Sequence, residues 1–263
     1  ATPEWYASRG YASIPARGPD AALVVPGAVA SWQVALDLLG GSQKFTLAEL
    51  LADAIALARD GVAVTPHLAD TAAKKGVALI DVPGFAGAHL DNGKAITAGS
   101  RYRQPALEAT LRRIAEAGTA DFYTGDLARE HGRFLAEVGS PLRTEDFARY
   151  RAERTTPLAV KLKSGTVYNV PPPTQGVATL IALGLFDRLG VEMPDGFAHL
   201  HGLVEATKKA YSLRNRHVAD PDSMTVDPAS WLTPEALDAS AATIDRQVAA
   251  PWPEPSSPGD TIW

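Results

Sequence analysis

Residues 158–189, LAVKLKSGTVYNVPPPTQGVATLIALGLFDRL, contain the change of pattern that decides the fold class. Apolar residues alternate with small or charged ones over residues 158–163, and Ser164-Gly165 then supply a turn before residues 166–170. An alternation with a period of two predicts a β-hairpin with one buried face. Because the rest of the chain carries mostly helical patterns, the hairpin indicates a mixed fold class, α/β (α+β).

The second half of this stretch leads from extended to helical structure. Pro171-Pro172-Pro173 cannot continue a helix or a strand ladder, so the triplet predicts a stiff connection between elements. A proline triplet is also a ligand that proline-reading domains bind, but a structural crossover is the favoured interpretation. From Gly176 to Leu189 the chain is largely apolar, which predicts a buried helix.

Helices with clear start and stop signals are predicted on the N-terminal side. Thr46-Leu47-Ala48-Glu49 fits a capping box, and Gly61 is placed to end the helix that follows. Further helices are predicted from about Gln104 to Ala117 and from Gly125 towards Val138, and Thr144 is expected to cap a short one. The apolar positions with helical spacing are predicted to be core: Leu47, Leu50, Leu51, Ala54, Ile55, Ala58, Leu107, Leu111 and Ile114.

Another long helix is predicted on the C-terminal side. Its apolar stripe, predicted to be core, consists of Phe197, Leu200, Val204 and Tyr211. On the same helix Glu205 stands three and four residues before Lys208 and Lys209, a spacing typical of a solvated ion pair. Thr233-Pro234-Glu235 is expected to open one more helix, with proline at its first position.

Composition excludes several classes of protein. The 263 residues carry 25 basic and 30 acidic side chains, a net charge of −5 with both signs scattered, whereas nucleic-acid-binding proteins are typically basic with a clustered patch. The absence of cysteine excludes disulfides, thiolate metal sites and a cysteine nucleophile. No apolar run is long enough to predict a membrane span, and residues 1–18 lack a signal-peptide pattern. Periplasmic or secreted and cytoplasmic locations both stay open.

The histidines do not predict a metal site, and no cofactor is expected. His199 and His201 are two residues apart on a predicted helix, so their side chains point about 200° apart and cannot share a metal ion. The other four stand singly, which favours hydrogen-bonding roles at the surface or in the core: His67, His89, His131 and His217. No nucleophile elbow, phosphate-binding loop or dinucleotide fingerprint is present.

The C-terminal residues differ in composition from the rest of the chain. Residues 251–260, PWPEPSSPGD, cannot form regular structure and are expected to be an exposed, mobile linker. The three residues after it, Thr261-Ile262-Trp263, indicate the start of a β-strand. From its position alone, Thr261 would be an ordinary threonine of a C-terminal tail.

Several blocks of the sequence resemble the gamma-glutamyltranspeptidase family and occur in the family's order. The most similar is HGLVEATKKAY at residues 201–211, with Arg216 and Asp220-Pro221 after it. The others are VPGAV at 25–29 followed by Trp32, DAIALARDGVAV at 53–64, GTADFYTG at 118–125, LRTED at 142–146 and NVPPPTQG at 169–176. Any one block alone is weak evidence for the family. The ordered set is specific to the family and covers most of the chain.

The resemblance implies an N-terminal-nucleophile hydrolase, whose whole fold is a four-layer αββα sandwich. This portion would be mostly helical and would add the hairpin to the sandwich. Residues 1–150 are expected to form a helical lobe of the large subunit, and residues 151–250 the hairpin and helices that cover the core. Residues 251–260 would be the linker to the cleavage site, and residues 261–263 the start of the small-subunit strand.

The resemblance also implies the chemistry. The precursor would cut itself between Asp260 and Thr261, and Thr261 would then be the nucleophile and, through its freed α-amine, the general base. An α-amine has a pKa of about 7.7–8.0, close enough to neutral to accept the hydroxyl proton. The implied partners are the small subunit from the same precursor and a small-molecule amide. The family's substrate-binding residues would precede Ala1 or follow Trp263, so none is assigned here.

One departure from the family pattern bears on the substrate. The family places a threonine or histidine soon after the nucleophile, where this chain has Ile262 and Trp263. The departure favours a related amidohydrolase, acting on oxamate or on a cephalosporin or glutaryl amide, over glutathione transpeptidation. Both alternatives use Thr261 in the same role. A third interpretation is a non-catalytic helical scaffold, in which Thr261 would carry no free amine.

Overall fold

The computed structural model describes residues 2–42, 44–91 and 93–252. Asp260 and Thr261, with the rest of the predicted linker beyond Trp252 and the predicted strand start at 261–263, lie outside the described residues. The chain divides into two compact units, the first ending at Glu153 and the second beginning at Arg154. No helix in the described part of the chain is both long and apolar enough to cross a membrane.

The first unit is mainly helical. Its helices are α1 Pro3–Ala7, α2 Ala28–Leu38, α3 Leu47–Asp60, α4 Pro66–Gly76, α5 Phe85–His89, α6 Pro105–Ala117, α7 Asp121–Thr124, α8 Asp126–Glu137 and α9 Thr144–Arg149. A 3₁₀ turn covers Pro19–Ala21. Four two-residue strands form antiparallel pairs, β1 Val62–Ala63 with β4 Arg101–Tyr102 and β2 Leu90–Asp91 with β3 Lys94–Ala95.

The predicted start and stop signals of α3 are confirmed. The Glu49 amide donates to the Thr46 hydroxyl at 3.2 Å, and the Thr46 amide donates to the Glu49 carboxylate at 2.7 Å. Gly61 ends the helix with a φ of 84°, a left-handed conformation that glycine adopts without strain. The predicted role of Thr144 is wrong. Thr144 is the first helical residue of α9, and Arg143 occupies the cap position, where its amide donates to Asp146 at 2.8 Å.

The core of the first unit lies among α2, α3, α6, α7, α8 and α9. Its buried residues are Val29, Leu51, Leu111, Ile114, Phe122, Tyr123, Leu127, Ala128 and Phe147. The predicted burial of Leu51, Ala58, Leu111 and Ile114 is confirmed. Leu50 and Leu107 were also predicted to be core, but they are 51% and 44% exposed, since they flank the buried face of their helices. Ala54 is exposed as well.

The second unit contains the hairpin and the longest helices. Its elements are β5 Leu158–Leu162, β6 Gly165–Asn169, α10 Gly176–Leu189, α11 Phe197–His217 and α12 Pro234–Ala241, with 3₁₀ turns at Pro221–Ser223 and Pro228–Leu232. The predicted hairpin is confirmed, and its register pairs Leu158 with Asn169 and Leu162 with Gly165. The turn therefore lies one residue earlier than predicted, at Lys163-Ser164. Thr233 caps α12 through the amide of Ala236, with Pro234 first in the helix as expected.

The core of the second unit surrounds α10. Its buried residues are Val160, Val177, Ala178, Leu180, Ile181, Leu185, Leu189, Ala206, Ala210, Leu232, Leu237 and Ile244. Val160 confirms the predicted buried face of the hairpin, and α10 is the buried helix that the apolar run predicts. A Cβ at Gly184 would lie 2.9 Å from Leu237 and 3.0 Å from Val160, so a side chain larger than hydrogen would separate α10 from its neighbours.

The predicted core stripe of α11 is wrong. Phe197, Leu200, Val204 and Tyr211 are 67%, 59%, 42% and 38% exposed. The helix instead buries small residues, Gly202, Ala206 and Ala210, against its neighbours. Residues whose side chain is no larger than a methyl group let two helices approach closely. The larger apolar residues of α11 lie on the opposite face of this helix.

Candidate functional site

The described residues closest in sequence to the expected cleavage bond form a segment that lies along α11. We call residues 243–252 the anchored segment, because side chains of α11 bind it at several points and its own Arg246 binds the end of α10. The segment ends nine residues before Thr261.

A buried ion pair on α11 binds the backbone of Ala250. Lys208 Nζ donates to Glu205 Oε1 at 2.7 Å and to the carbonyl oxygen of Ala250 at 2.6 Å. The Ala250 amide donates to the second carboxylate oxygen of Glu205 at 3.2 Å. Glu205 is only 3% exposed and Lys208 only 6% exposed. The predicted solvated pair is therefore wrong, since the anchored segment covers both charges.

The Glu205 carboxylate is held in its ionised form. Burial would raise its pKa, but the hydrogen bonds from Lys208 and from the Ala250 amide outweigh burial, and the pKa lies below its usual value. The Glu205 carboxylate and the Lys208 Nζ atom thus both hydrogen-bond to one backbone residue, Ala250.

Further contacts hold the anchored segment at its other end. His201 Nε2 lies 2.8 Å from the carbonyl oxygen of Asp245, and Lys209 Nζ donates to the Thr243 hydroxyl at 2.7 Å. Arg246 donates to the carbonyl oxygen of Leu189 at 2.9 Å. Because His201, Glu205 and Lys208 follow one another at spacings of four and three, they lie along one side of α11 and can bind successive parts of one strand of chain.

The segment also contains its own turn. The amides of Gln247 and Val248 donate to one oxygen of the Asp245 side chain at 2.8 and 2.9 Å. Such an aspartate-to-amide pattern is a recurrent local turn, and the sequence analysis did not use it. The available signal for this turn was an aspartate, Asp245, followed by residues with neither a strand nor a helix pattern. No local signal indicated that residue 250 contacts residue 205.

The histidine predictions have mixed outcomes. Of the four histidines that stand singly, His89 hydrogen-bonds as predicted, because its Nδ1 atom lies 2.9 Å from the Tyr102 hydroxyl oxygen. His131 instead packs against Phe122 and Phe147, with ring centroids 4.8 and 5.7 Å away. Its Nδ1 atom has no hydrogen-bond partner among the described residues, and burial lowers the pKa of this imidazole.

Two of the family-like blocks meet in the second unit. Gln175, from the block at 169–176, accepts a hydrogen bond from Arg214 of α11 at 2.9 Å, and the Arg214 guanidinium lies 3.9 Å from the Tyr211 ring. Thr174 donates to the carbonyl oxygen of Val170 at 2.9 Å and closes the turn. A Cβ at Gly176 would lie 2.3 Å from the Asn169 side chain, so this position requires glycine. The block thus connects β6 to α10 as the predicted structural crossover.

Two other blocks, at 25–29 and 118–125, meet in the first unit. The Tyr123 hydroxyl donates to the carbonyl oxygen of Pro26 at 2.8 Å and accepts from the Ala30 amide at 2.9 Å. Tyr150 stacks on Tyr123 with centroids 5.5 Å apart, and its hydroxyl occupies the space that a Cβ at Gly27 would need. The Tyr123 hydroxyl thereby holds the chain on both sides of the start of α2, at the Pro26 carbonyl and at the Ala30 amide.

Asp121, in the block at 118–125, organises the start of α8. Arg113 donates to its two carboxylate oxygens at 3.1 and 2.9 Å, and the amides of Asp126 and Leu127 donate to it at 3.2 and 3.3 Å. The bond from Arg113 is the main reason that the pKa of Asp121 falls to about 2. A Cβ at Gly125 would lie 2.1 Å from an Asp121 oxygen. The aspartate therefore satisfies helix amides that would otherwise lack a partner.

The substitution Asp121→Asn is expected to lower the free energy of unfolding of the full-length protein by about 2 kcal/mol at pH 7, because charge-assisted hydrogen bonds are lost. The folded pKa of about 2 lies below the usual 3.8. The stabilisation is therefore present above pH 4 and disappears as the pH falls towards 2. The difference in free energy of unfolding between variant and wild type should therefore narrow over that range. Denaturant titrations at pH 7 and pH 3 measure it.

Asp70→Asn is the matched control for this prediction. Asp70 pairs with Lys74 at 2.8 Å, but the two side chains are 55% and 73% exposed. An exposed pair contributes little, so a change of less than about 0.5 kcal/mol is expected. Equal losses in the two variants would contradict the role assigned to Asp121.

Comparisons with known proteins agree with the arrangement of these blocks. The family model described as gamma-glutamyltranspeptidase matches residues 1–262. The chain is 44% identical over 267 residues to the oxamate amidohydrolase proenzyme of Klebsiella pneumoniae, a match that covers 100% of this chain and 50% of that protein. It is 33% identical over 215 residues to the glutathione hydrolase-like YwrD proenzyme of Bacillus subtilis, covering 81% of this chain and 40% of that protein. The chain thus spans half or less of the length of these relatives.

The fold has a close counterpart among solved structures. The crystal structure of a cephalosporin acylase from Bacillus halodurans superposes with a TM-score of 0.81 at 28% identity, over 93% of this chain and 46% of that one. The predicted fold class is thereby confirmed, with this portion mostly helical and carrying a β-hairpin.

Proposed function

The chain belongs to the gamma-glutamyltranspeptidase family, and from that premise we propose that it is the large-subunit part of a self-cleaving amide hydrolase with Thr261 as its nucleophile. One observation carries the proposal most strongly, the 44% identity over the whole chain to a protein named a proenzyme and an amidohydrolase. A family match that runs to residue 262 includes both sides of the proposed cleavage bond, Asp260-Thr261.

The proposed maturation needs only the groups at that bond and one water. The Thr261 hydroxyl attacks the carbonyl carbon of Asp260, and the peptide bond is exchanged for an ester as the amine of Thr261 is released. Water then hydrolyses the ester, which leaves a carboxylate on Asp260 and a free amine and hydroxyl on Thr261. Before cleavage this nitrogen is an amide and has no basic lone pair, so the precursor lacks the base that the mature enzyme needs.

The proposed turnover uses the two groups that cleavage creates. The α-amine of Thr261 has an ordinary pKa of about 7.7–8.0 and takes the proton of the adjacent hydroxyl as the oxygen attacks the substrate's amide carbon. The substrate amine leaves with that proton, and an acyl ester remains on Thr261. Water attacks the ester in the second half of the cycle and regenerates the hydroxyl. An amine acceptor in place of water would give transfer.

We favour hydrolysis of a small amide such as oxamate as the activity. The chain is 44% identical over its whole length to an oxamate amidohydrolase proenzyme, and Ile262-Trp263 departs from the pattern of the glutathione-cleaving members. The second candidate is hydrolysis or transfer of a γ-glutamyl amide, which the 33% identity to a glutathione hydrolase-like proenzyme favours. Parallel assays of the mature enzyme with oxamate and glutathione separate the two, since ammonia is released only from oxamate.

The proposed partner is the C-terminal part of the same precursor, the small subunit. The chain spans half of the length of the relative to which it is 44% identical, so a second part of comparable size is expected. The exposed stripe of α11, Phe197, Leu200, Val204 and Tyr211, offers that part an apolar surface. Exposed apolar side chains aligned on one helix face are typical of an interface.

The experiment that tests the proposed function is intact mass and N-terminal sequencing of the full-length gene product after purification. We expect two fragments that elute together in size-exclusion chromatography, the smaller beginning Thr-Ile-Trp. A single uncut chain would refute the mechanism and leave the scaffold interpretation, whereas a cut at a different bond would reject Thr261 as the nucleophile. A correct cut without hydrolysis of either amide would leave the maturation step standing and reject both substrates.

A further inference from the structure

We propose that Glu205 and Lys208 are positioning residues for self-cleavage, because they fix the backbone of residue 250 eleven residues before Thr261. The inference rests on the proposed function and assigns to α11 a step of maturation rather than of turnover. Its basis is the contact between a buried ion pair and a single backbone residue of the anchored segment.

The ion pair fixes which residue of the anchored segment lies against α11. Glu205 accepts from the amide of Ala250 at 3.2 Å while Lys208 donates to the carbonyl oxygen of the same residue at 2.6 Å. A shift of the segment by one residue towards its N-terminus would bring Pro251 into this place, and proline has no amide hydrogen to donate. The pair therefore accepts one register of the segment and disfavours that neighbouring one.

Simple stabilisation does not explain why two charges are buried here. Two charges lose their hydration on burial, and apolar residues of similar size often stabilise a protein as well or better. Their distinctive property is the ability to bind an amide and a carbonyl oxygen of the same residue at fixed positions. Trp252, which is 62% exposed, lies with its ring centroid 5.2 Å from Lys208 Nζ and adds a contact two residues closer to the cleavage bond.

The expected change in the rate of self-cleavage distinguishes a positioning role from a simple tether, which would only keep Thr261 in the neighbourhood. Without the contact at Ala250, the nearest described hydrogen bond from the anchored segment to another part of the unit is that of Arg246 to Leu189, fifteen rather than eleven residues before Thr261. A connection longer by this amount lowers the effective concentration of its end by less than about twofold. A misplaced reacting group, in contrast, can slow a reaction by about 10²-fold. A slowing of about tenfold or more therefore requires positioning.

Ala250→Pro is the most selective test, made in the full-length precursor. The substitution removes the amide that binds Glu205 and leaves both charged side chains in place. Residue 250 is exposed and already precedes a proline, so an extended conformation is favoured there before the change. Ala249→Pro is the matched control, since the Ala249 amide donates to no atom within the described ranges. Glu205→Met with Lys208→Met is the second variant, which keeps the volume and removes the charges.

The measurement is the rate of self-cleavage after cell-free synthesis, followed by intact mass, together with Tm and with kcat and KM after cleavage is complete. We expect Ala250→Pro and the double variant to cut at least about tenfold more slowly, with Ala249→Pro near wild type. Once cut, the variants should show wild-type kcat and KM, because the anchored segment is then no longer joined to Thr261. A general loss of structure would lower kcat as well.

Two results would overturn the inference in distinguishable ways. Wild-type cleavage rates in Ala250→Pro would reject the positioning role while leaving Thr261 and the proposed function intact. An uncut wild-type precursor would reject the proposed function and the inference together. If the double variant does not fold, as shown by its Tm, Ala250→Pro decides alone because it changes one exposed residue.

Discussion

A full-length precursor carrying Thr261→Ala is expected to remain a single chain and to lose at least about 10³-fold of the wild-type amidase activity. Alanine has no hydroxyl to attack the Asp260 carbonyl, so the first ester cannot form. Without cleavage the nitrogen of residue 261 stays an amide, and the general base is lost together with the nucleophile. The loss of two groups by one substitution makes this the largest effect predicted for the protein.

Thr261→Ser is the control for that experiment. Serine retains the hydroxyl and lacks only the methyl group, so it should cut at the same bond, with activity reduced by less than the alanine variant. Intact mass gives the cleavage, and amide hydrolysis by the mature enzyme gives the activity. Substantial turnover by an uncut Thr261→Ala chain would show that the nucleophile is elsewhere.

The largest effect on folding is expected from Gly132→Ala, which should lower the free energy of unfolding by about 3 kcal/mol. Gly132 lies inside α8, where helix propensity by itself favours alanine by about 1 kcal/mol. A Cβ there, however, would lie 2.0 Å from the Thr144 hydroxyl and 2.9 Å from its backbone nitrogen. Overpacking against backbone forces α8 and α9 apart, and this cost outweighs the gain in propensity.

Gly87→Ala is the matched control, because it makes the same change inside helix α5. A Cβ at Gly87 would meet no atom of the described residues within 4 Å, so only propensity acts, and a gain of about 0.5–1 kcal/mol is expected. Thr144→Ala should not rescue Gly132→Ala, since the backbone contact remains. The apparent Tm of the full-length variants measures all three, and a neutral Gly132→Ala would show that α8 and α9 can separate at little cost.

Local signals in the sequence were sufficient for the five longest described helices, α3, α6, α8, α10 and α11, and for the hairpin of β5 and β6. The capping box at Thr46–Glu49, the glycine at 61, the hairpin at 158–169 and the limits of α10 each depend on residues within a few positions of one another. Thr144 is the exception, since the Arg143–Asp146 contact placed the cap one residue earlier. The hairpin turn was likewise one residue early, because Gly165 pairs with Leu162 inside the ladder.

The sequence was also sufficient to indicate the family, because ordered blocks preserve chemistry that one chain segment can carry. Which helix faces are buried became clear only from the folded structure. Glu205 and Lys208 have the spacing of a solvated pair, and they are buried because a segment more than forty residues away covers them. The stripe of Phe197, Leu200 and Val204 has the periodicity of a core face, yet it is exposed because small residues allow α11 to pack through its other side. Periodicity fixes which residues share a face, whereas burial depends on what distant parts of the chain lie against it.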